Sequence, residues 1–185
     1  DCNNAFHWDN GTIYVFPSTG HPWRSSGANL FNLARPSQRV TIDNEAGWKD
    51  GGRWIEATYK EEGGPLYAWY HNEPPNACPD RKQIGAPRIG AMVSHDNGMN
   101  WHDLGLVLEA PADSLRCDTA NVFFAGGNGD FCVILDQRKE YFYFLISTYH
   151  KDPAEQGLSI ARMPFADRNV PVGKASKNPR YPGGF

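Results

Sequence analysis

Two stretches of this sequence, Trp54 to Tyr70 and Asp130 to Ile146, follow one plan: a short apolar strand, a turn, then a strand rich in aromatic residues. In each, an acidic residue precedes the first tyrosine of the second strand by eleven positions, Glu56 before Tyr67 and Asp130 before Tyr141. A repeat at fixed offset is a strong constraint, because the fold must then be assembled from copies of one small unit. A third copy of the second half is Asp9-Asn-Gly-Thr-Ile-Tyr-Val-Phe16, where Asp-Asn-Gly supplies the tight turn that hairpins favour. Each aromatic strand is followed, after a loop, by a further apolar strand, expected at Ala28 to Ala34, Ile89 to Ser94 and Leu158 to Met163. No segment long enough for a helix keeps a 3.6-residue apolar period free of Gly and Pro. Three successive units of strand, turn, strand, loop, strand predict an all-β chain built as β-propeller blades, with approximate limits 1–45, 46–112 and 113–175. Periodicity alone fits a β-sandwich as well. The 185 residues suffice for one core, and 19 Gly and 14 Pro punctuate short apolar runs as an all-β chain requires.

The segment Ser94-His-Asp-Asn-Gly-Met-Asn-Trp101 favours the propeller. Asp96 is placed to accept hydrogen bonds from turn amides, Gly98 to take positive φ, and Trp101 to fold back on the blade. The segment resembles the Asp-box of sialidases and other propellers, Ser-x-Asp-x-Gly-x-Thr-Trp, with Asn100 in place of the Thr. In those proteins the motif joins the two outer strands of a blade, away from the ligand. The resemblance therefore implies structural roles for Ser94, Asp96 and Trp101.

A second resemblance covers more of the chain. Trp54-Ile-Glu-Ala, Trp69-Tyr-His-Asn-Glu73, Gly126-Gly-Asn-Gly-Asp-Phe131 and Gly157-Leu-Ser-Ile-Ala-Arg-Met-Pro-Phe-Ala-Asp167 resemble the five-bladed glycoside hydrolase superfamily of arabinanases, xylosidases and fructosidases. It spans residues 1 to 175 as a blade pattern, and no short signature of one hydrolase family is present. In that superfamily the innermost strands open with acidic residues that point into a central funnel. Three such carboxylates serve as base or nucleophile, as acid, and as an orienting or pKa-tuning group. Glu56 and Asp130 occupy the matching places, and the third acid is left open between Asp1 and Asp118.

The chemistry of the residues agrees. Cleaving a glycosidic bond needs two carboxyl groups across it, one of them able to hold a proton near neutral pH. Glu56 and Asp130 are the expected catalytic pair, the latter delivered by the permissive backbone of Gly126-Gly-Asn-Gly129. Sugars also need flat aromatic faces and planar donors, for which His7, Trp8, Arg53, Trp54 and His71 are the expected substrate-binding residues. The alternative reading is a propeller that binds glycans or another protein without cleaving anything. A pair of acids about 5 to 10 Å apart beside an open pocket favours hydrolysis, and a single acid ringed by aromatics favours binding.

Other classes find no support. A net charge of -3 leaves no basic stripe for nucleic acid. No apolar run approaches the roughly 20 residues of a membrane-spanning helix. The six histidines form no metal-binding pair motif and there is no Cys-x-x-Cys, so no metal is expected. Dinucleotide and serine-hydrolase motifs are also lacking, and no cofactor is expected. The four cysteines allow three pairings, although Cys132, within Phe131-Cys-Val-Ile-Leu135, reads as a buried free thiol. With the sequon Asn10-Gly11-Thr12, they make a secreted or cell-surface protein the expectation. Asp1 without a Met, and the turn-rich Tyr181-Pro-Gly-Gly-Phe185, read as cuts, so a fragment or a processed form is expected.

Overall fold

Residues 3–150 and 156–177 are described in a computed structural model of the chain; Asp1 and Cys2 lie outside them. Among the described residues, thirteen strands form three sheets that follow one another along the sequence. The first blade contains β1 (Phe6–Asp9), β2 (Thr12–Val15), β3 (Trp23–Gly27) and β4 (Gln38–Arg39), hydrogen-bonded in that order. The second contains β6 (Gly52–Lys60), β7 (Leu66–Glu73), β8 (Arg88–Ser94) and β9 (Asn100–Leu108), with β5 (Thr41–Ile42) added in parallel along β9. The third contains β10 (Gly127–Leu135), β11 (Tyr141–Tyr149), β12 (Gly157–Pro164) and β13 (Ser176–Lys177). Helical segments among the described residues are three-residue 3-10 turns. The innermost strand of the second blade, β6, touches those of both neighbours, β1 and β10. The chain is an all-β propeller array of three blades.

The alternation of β7 shows why the blades stack. Leu66, Ala68 and Tyr70 pack toward the first blade with Phe16, Ile42, Ile55 and Trp101, while Tyr67 and Trp69 pack toward the third with Phe131, Phe142 and Phe144. Both faces of the strand are buried, as a blade lying between two others requires. Trp69 meets Phe142 edge-on at 4.7 Å between ring centres, the offset geometry that aromatic quadrupoles prefer.

The turn from β8 to β9 is closed by side chains. Ser94 Oγ accepts from the Gly98 amide at 2.9 Å, and Asp96 Oδ1 accepts from the amides of Met99 and Asn100 at 3.0 and 2.9 Å. Gly98 sits at φ +82°, where a Cβ would strike the Phe16 ring, and the Trp101 indole N–H donates back to its carbonyl at 3.0 Å. This turn thereby fixes the second blade against the first.

Two local expectations are corrected. The third strand of the first blade is Trp23–Gly27, not Ala28 to Ala34. In the latter segment Asn29 Oδ1 accepts from the amides of Phe31 and Asn32, a local turn that outcompetes a ladder, and Leu30 and Phe31 are exposed. Cys132 is free but exposed rather than buried. A bulge before Phe131 puts that ring into the core, and strand alternation then turns Cys132 outward.

Candidate active site

Glu56 and Asp130 occupy equivalent places in neighbouring blades, and at each place the strand is bulged. Ile55 pairs with Tyr70 and Ala57 with Trp69, leaving Glu56 as the extra residue of β6. Asn128 pairs with Thr148 and Phe131 with Ile146, so Gly129 and Asp130 together oppose Ser147. A bulge re-aims a side chain out of the strict two-residue alternation, and here both acids turn toward the seam between the second and third blades. The glycines before Asp130 allow close approach of backbone to neighbouring protein. A Cβ on Gly127, at φ +109°, would lie 2.6 Å from Pro87, and one on Gly129 would lie 2.3 Å from the Tyr149 ring.

The two acids converge on one imidazole. His71 Nδ1 lies 3.0 Å from Glu56 Oε1 and 3.2 Å from Asp130 Oδ1, while Nε2 lies 3.4 Å from Glu73 Oε1. The Glu56 carboxylate is fully enclosed, and its other oxygen accepts the Phe131 amide across the blade seam at 2.7 Å. Asp130 and Glu73 differ from it in being 46% and 36% exposed. Trp54 packs edge-on against the His71 ring at 5.9 Å, fixing it from the side. Burial works against a charge on His71, but the Glu56 hydrogen bond and the charges of Glu56, Glu73 and Asp130 outweigh it and raise the imidazole above its ordinary pKa. Burial likewise raises Glu73, opposed by His71 and reinforced by Asp130 and Glu56.

Glu73 and Asp130 open onto a cavity of about 400 Å³, also lined by Pro74, Gln83, Phe123, Phe124 and Tyr149. Its outer wall is built from two connecting segments, 74–87 and 109–126. Cys78 and Cys117 join them by a disulfide, and Gly85 and Phe123 to Ala125 zip them together through backbone bonds of 2.8 and 2.9 Å. Arg81 adds three hydrogen bonds, to the carbonyls of Cys117, Thr119 and Asn121. Phe123 is exposed at the rim and Phe124 lies 4.7 Å from Tyr149 between ring centres, so the wall presents aromatic faces to the space above the acids.

Glu56, His71 and Asp130 each offer one ligand atom within 4.8 Å of the others, a mixed N/O set suited to a divalent cation. The sequence motifs contain no such set, because bulges on two strands and a residue of a third assemble it. Glu73 also escapes the sequence reading, though its signal is present. It stands two residues after His71 on the same strand face.

The remaining expected site residues lie elsewhere. Arg53 is buried on the side facing the first blade, bonded to Asn44 Oδ1 at 2.8 Å and Asp103 Oδ2 at 3.1 Å, with Trp48 stacked at 4.2 Å. Asp118 is exposed on the turn following Cys117. Trp8 is exposed beside the turn between β6 and β7, at the opposite end of that hairpin from Glu73. His7 is buried in the first blade, stacked on Tyr14 at 5.1 Å and within 3.2 Å of Asn97.

Burial outweighs the Asn97 hydrogen bond and lowers the His7 pKa from 6.5 to about 4. The folded protein therefore resists protonation that the unfolded chain accepts. The His7 contribution to stability is intact above pH 6.5 and is expected to fall by roughly 3 kcal/mol as pH drops toward 4. The urea midpoint measured across that interval checks this, and His7→Phe, which keeps the stacking but cannot titrate, should flatten the decline.

No family model matches the chain, and no curated protein matches it. Solved structures do. An α-L-arabinanase from Cellvibrio cellulosa complexed with arabinohexaose superposes with a TM-score of 0.58 at 14% identity over 95% of this chain and 51% of its own. The exo-β-1,3-galactanase of Phanerochaete chrysosporium, in an E208A form with β-1,3-galactotriose, gives 0.61 at 12% identity over 96% of this chain and 38% of its own. A GH32 β-fructofuranosidase from Bombyx mori gives 0.54 at 12% identity over 92% and 32%. The chain thus spans about a third to a half of the length of these structures. The likeness establishes the fold, the β-propeller that these glycoside hydrolases share.

Proposed function

We propose that the chain forms a glycoside hydrolase-type site at the seam of its second and third blades, acting on uncharged glycans of a secreted or cell-surface setting. One observation carries the reading: Asp130 and Glu73 open onto a single cavity from either side of one imidazole. The two contacts plus one ring width keep their nearest oxygens under roughly 9.5 Å, the upper limit at which such a pair flanks one scissile bond. Glu73, raised by burial, is the proton donor to the leaving oxygen. Asp130, the more exposed, faces the sugar carbon as base toward water or as nucleophile. Glu56 is a positioning residue that holds His71, and through it the two reacting acids, at a fixed spacing.

The lining supports the ligand class. Phe123, Phe124 and Tyr149 offer faces for sugar rings, Gln83 offers an amide, and among the described residues the lining contains no Lys or Arg to pair with an acidic sugar. The solved relatives were obtained with arabinohexaose and β-1,3-galactotriose, both neutral oligosaccharides. The Cys78–Cys117 disulfide supports an oxidising compartment. The test is a screen of the protein against neutral aryl glycosides and arabino-, galacto- and xylo-oligosaccharides. Release of the aglycone or of shorter oligosaccharides is expected for at least one of them. Saturable binding without turnover would instead make the cavity a glycan-binding site, and activity surviving loss of both Asp130 and Glu73 would remove the assignment.

A further inference from the structure

The β6–β7 hairpin has two ends, and a second concavity lies at the one far from the acids. Gly52 pairs with Glu73 at the first end and Lys60 with Leu66 at the other. Eight residue steps of strand separate the ends by roughly 26 Å. At the far end Trp8, Asp9, Asn10, Lys60, Glu62 and Gly63 line a cleft of about 400 Å³. Trp8 is 51% exposed there, a large indole face left open to solvent.

The polar groups around that indole are held from behind. Asn97 Nδ2 donates to Asp9 Oδ2 at 2.8 Å, Lys60 Nζ lies 3.9 Å from Asp9 Oδ1, and the same ammonium donates to the Gly64 carbonyl. The cleft therefore combines a flat apolar platform with fixed acceptors, one cation and an amide. Charges of both signs stand side by side, which disfavours a charged ligand of either kind. An amphiphilic ring with an apolar face and hydroxyls at its edge matches all of these features.

We infer that this cleft is a second, non-catalytic binding site for a neutral oligosaccharide, with Trp8 as its stacking platform and Asp9, Lys60 and Glu62 as partners for ring hydroxyls. The substrate class rests on the proposed function of the cavity, but the cleft itself does not. At that distance one bound sugar cannot reach both places, so the site anchors a polymer independently of the chain segment being cleaved.

Affinity gel electrophoresis in gels containing arabinan, β-1,3-galactan or xylan tests this, using protein made in a bacterial host so that Asn10 of the sequon carries no glycan. At least one polysaccharide should retard the protein. Asp130→Asn should be retarded equally, Trp8→Ala should bind at least about tenfold more weakly, and Glu62→Gln, on an exposed turn, about threefold more weakly. Undiminished retardation of Trp8→Ala, or no retardation of the unaltered protein by any of the three, overturns the inference. Aryl-glycoside hydrolysis, scored separately, keeps the two readings apart. Hydrolysis without Trp8-dependent retardation leaves the cavity and removes the cleft, and the converse result does the opposite.

Discussion

Asp130→Asn and Glu73→Gln are each expected to lower the hydrolysis rate by about 10² to 10⁴, the usual contribution of a positioned acid or base. The two losses should differ in kind. Without the Glu73 proton the leaving oxygen must depart as an anion, so the deficit should shrink on aryl glycosides with acidic phenols and grow on natural oligosaccharides. Loss of Asp130 should be felt on every substrate. The pH profile separates them further. Because burial raises Glu73, its proton is retained above the ordinary carboxylate range, and the alkaline fall in activity should begin correspondingly high. Glu73→Gln should abolish that limb of the profile while Asp130→Asn keeps it. Rates measured across pH on a good and a poor leaving group provide the check.

Glu56→Ala is expected to cost about 3 to 5 kcal/mol of stability, the range seen when one partner of a buried ionic pair is removed. The His71 ring and the Phe131 amide, from different blades, then lose the Glu56 carboxylate at once, which leaves Asp130 as the carboxylate beside His71 Nδ1. Glu56→Gln should cost less, since its amide oxygen can still accept the Phe131 N–H. Both substitutions should also change how stability varies with pH. The folded-state pKa of His71 lies above the unfolded value near 6.5, so the folded protein binds this proton more tightly. The resulting stabilisation is complete below pH 6.5 and is lost as pH rises through the folded value. Urea midpoints should therefore decline across that interval in the unaltered protein, and the decline should be smaller in Glu56→Gln.

The repeat was legible because strand periodicity and a fixed offset survive in any blade, whatever its ligand. The equivalent positions of Glu56 and Asp130 were legible for the same reason, as matching members of two copies. Arg53 and Trp54 show where such reading stops. Adjacent strand residues face opposite sides, so both could not line one cavity; Trp54 meets His71 while Arg53 meets Asp103. His7 and Trp8 divide in the same way, one buried and one exposed. Glu73 was passed over because nothing in the sequence says which loop will roof the cavity, and it is Pro74 to Gly85, zipped to a distant segment, that defines it. The cation-capable trio depends on two bulges, each of which shifts a side chain by one position, and the one at Glu56 carries no glycine to mark it.

The acids proposed to react and the wall that faces them belong to different kinds of chain. Glu73 and Asp130 ride on strands locked between blades, whereas Phe123, Phe124 and Gln83 belong to connectors fastened to each other by Cys78–Cys117. The molecule is arranged like a fixed anvil under an exchangeable jaw. Under the proposed function, lengthening or re-lettering the connectors would retune which sugar is gripped while the spacing of the acids beneath stayed unchanged, leaving selectivity and chemistry free to diverge separately.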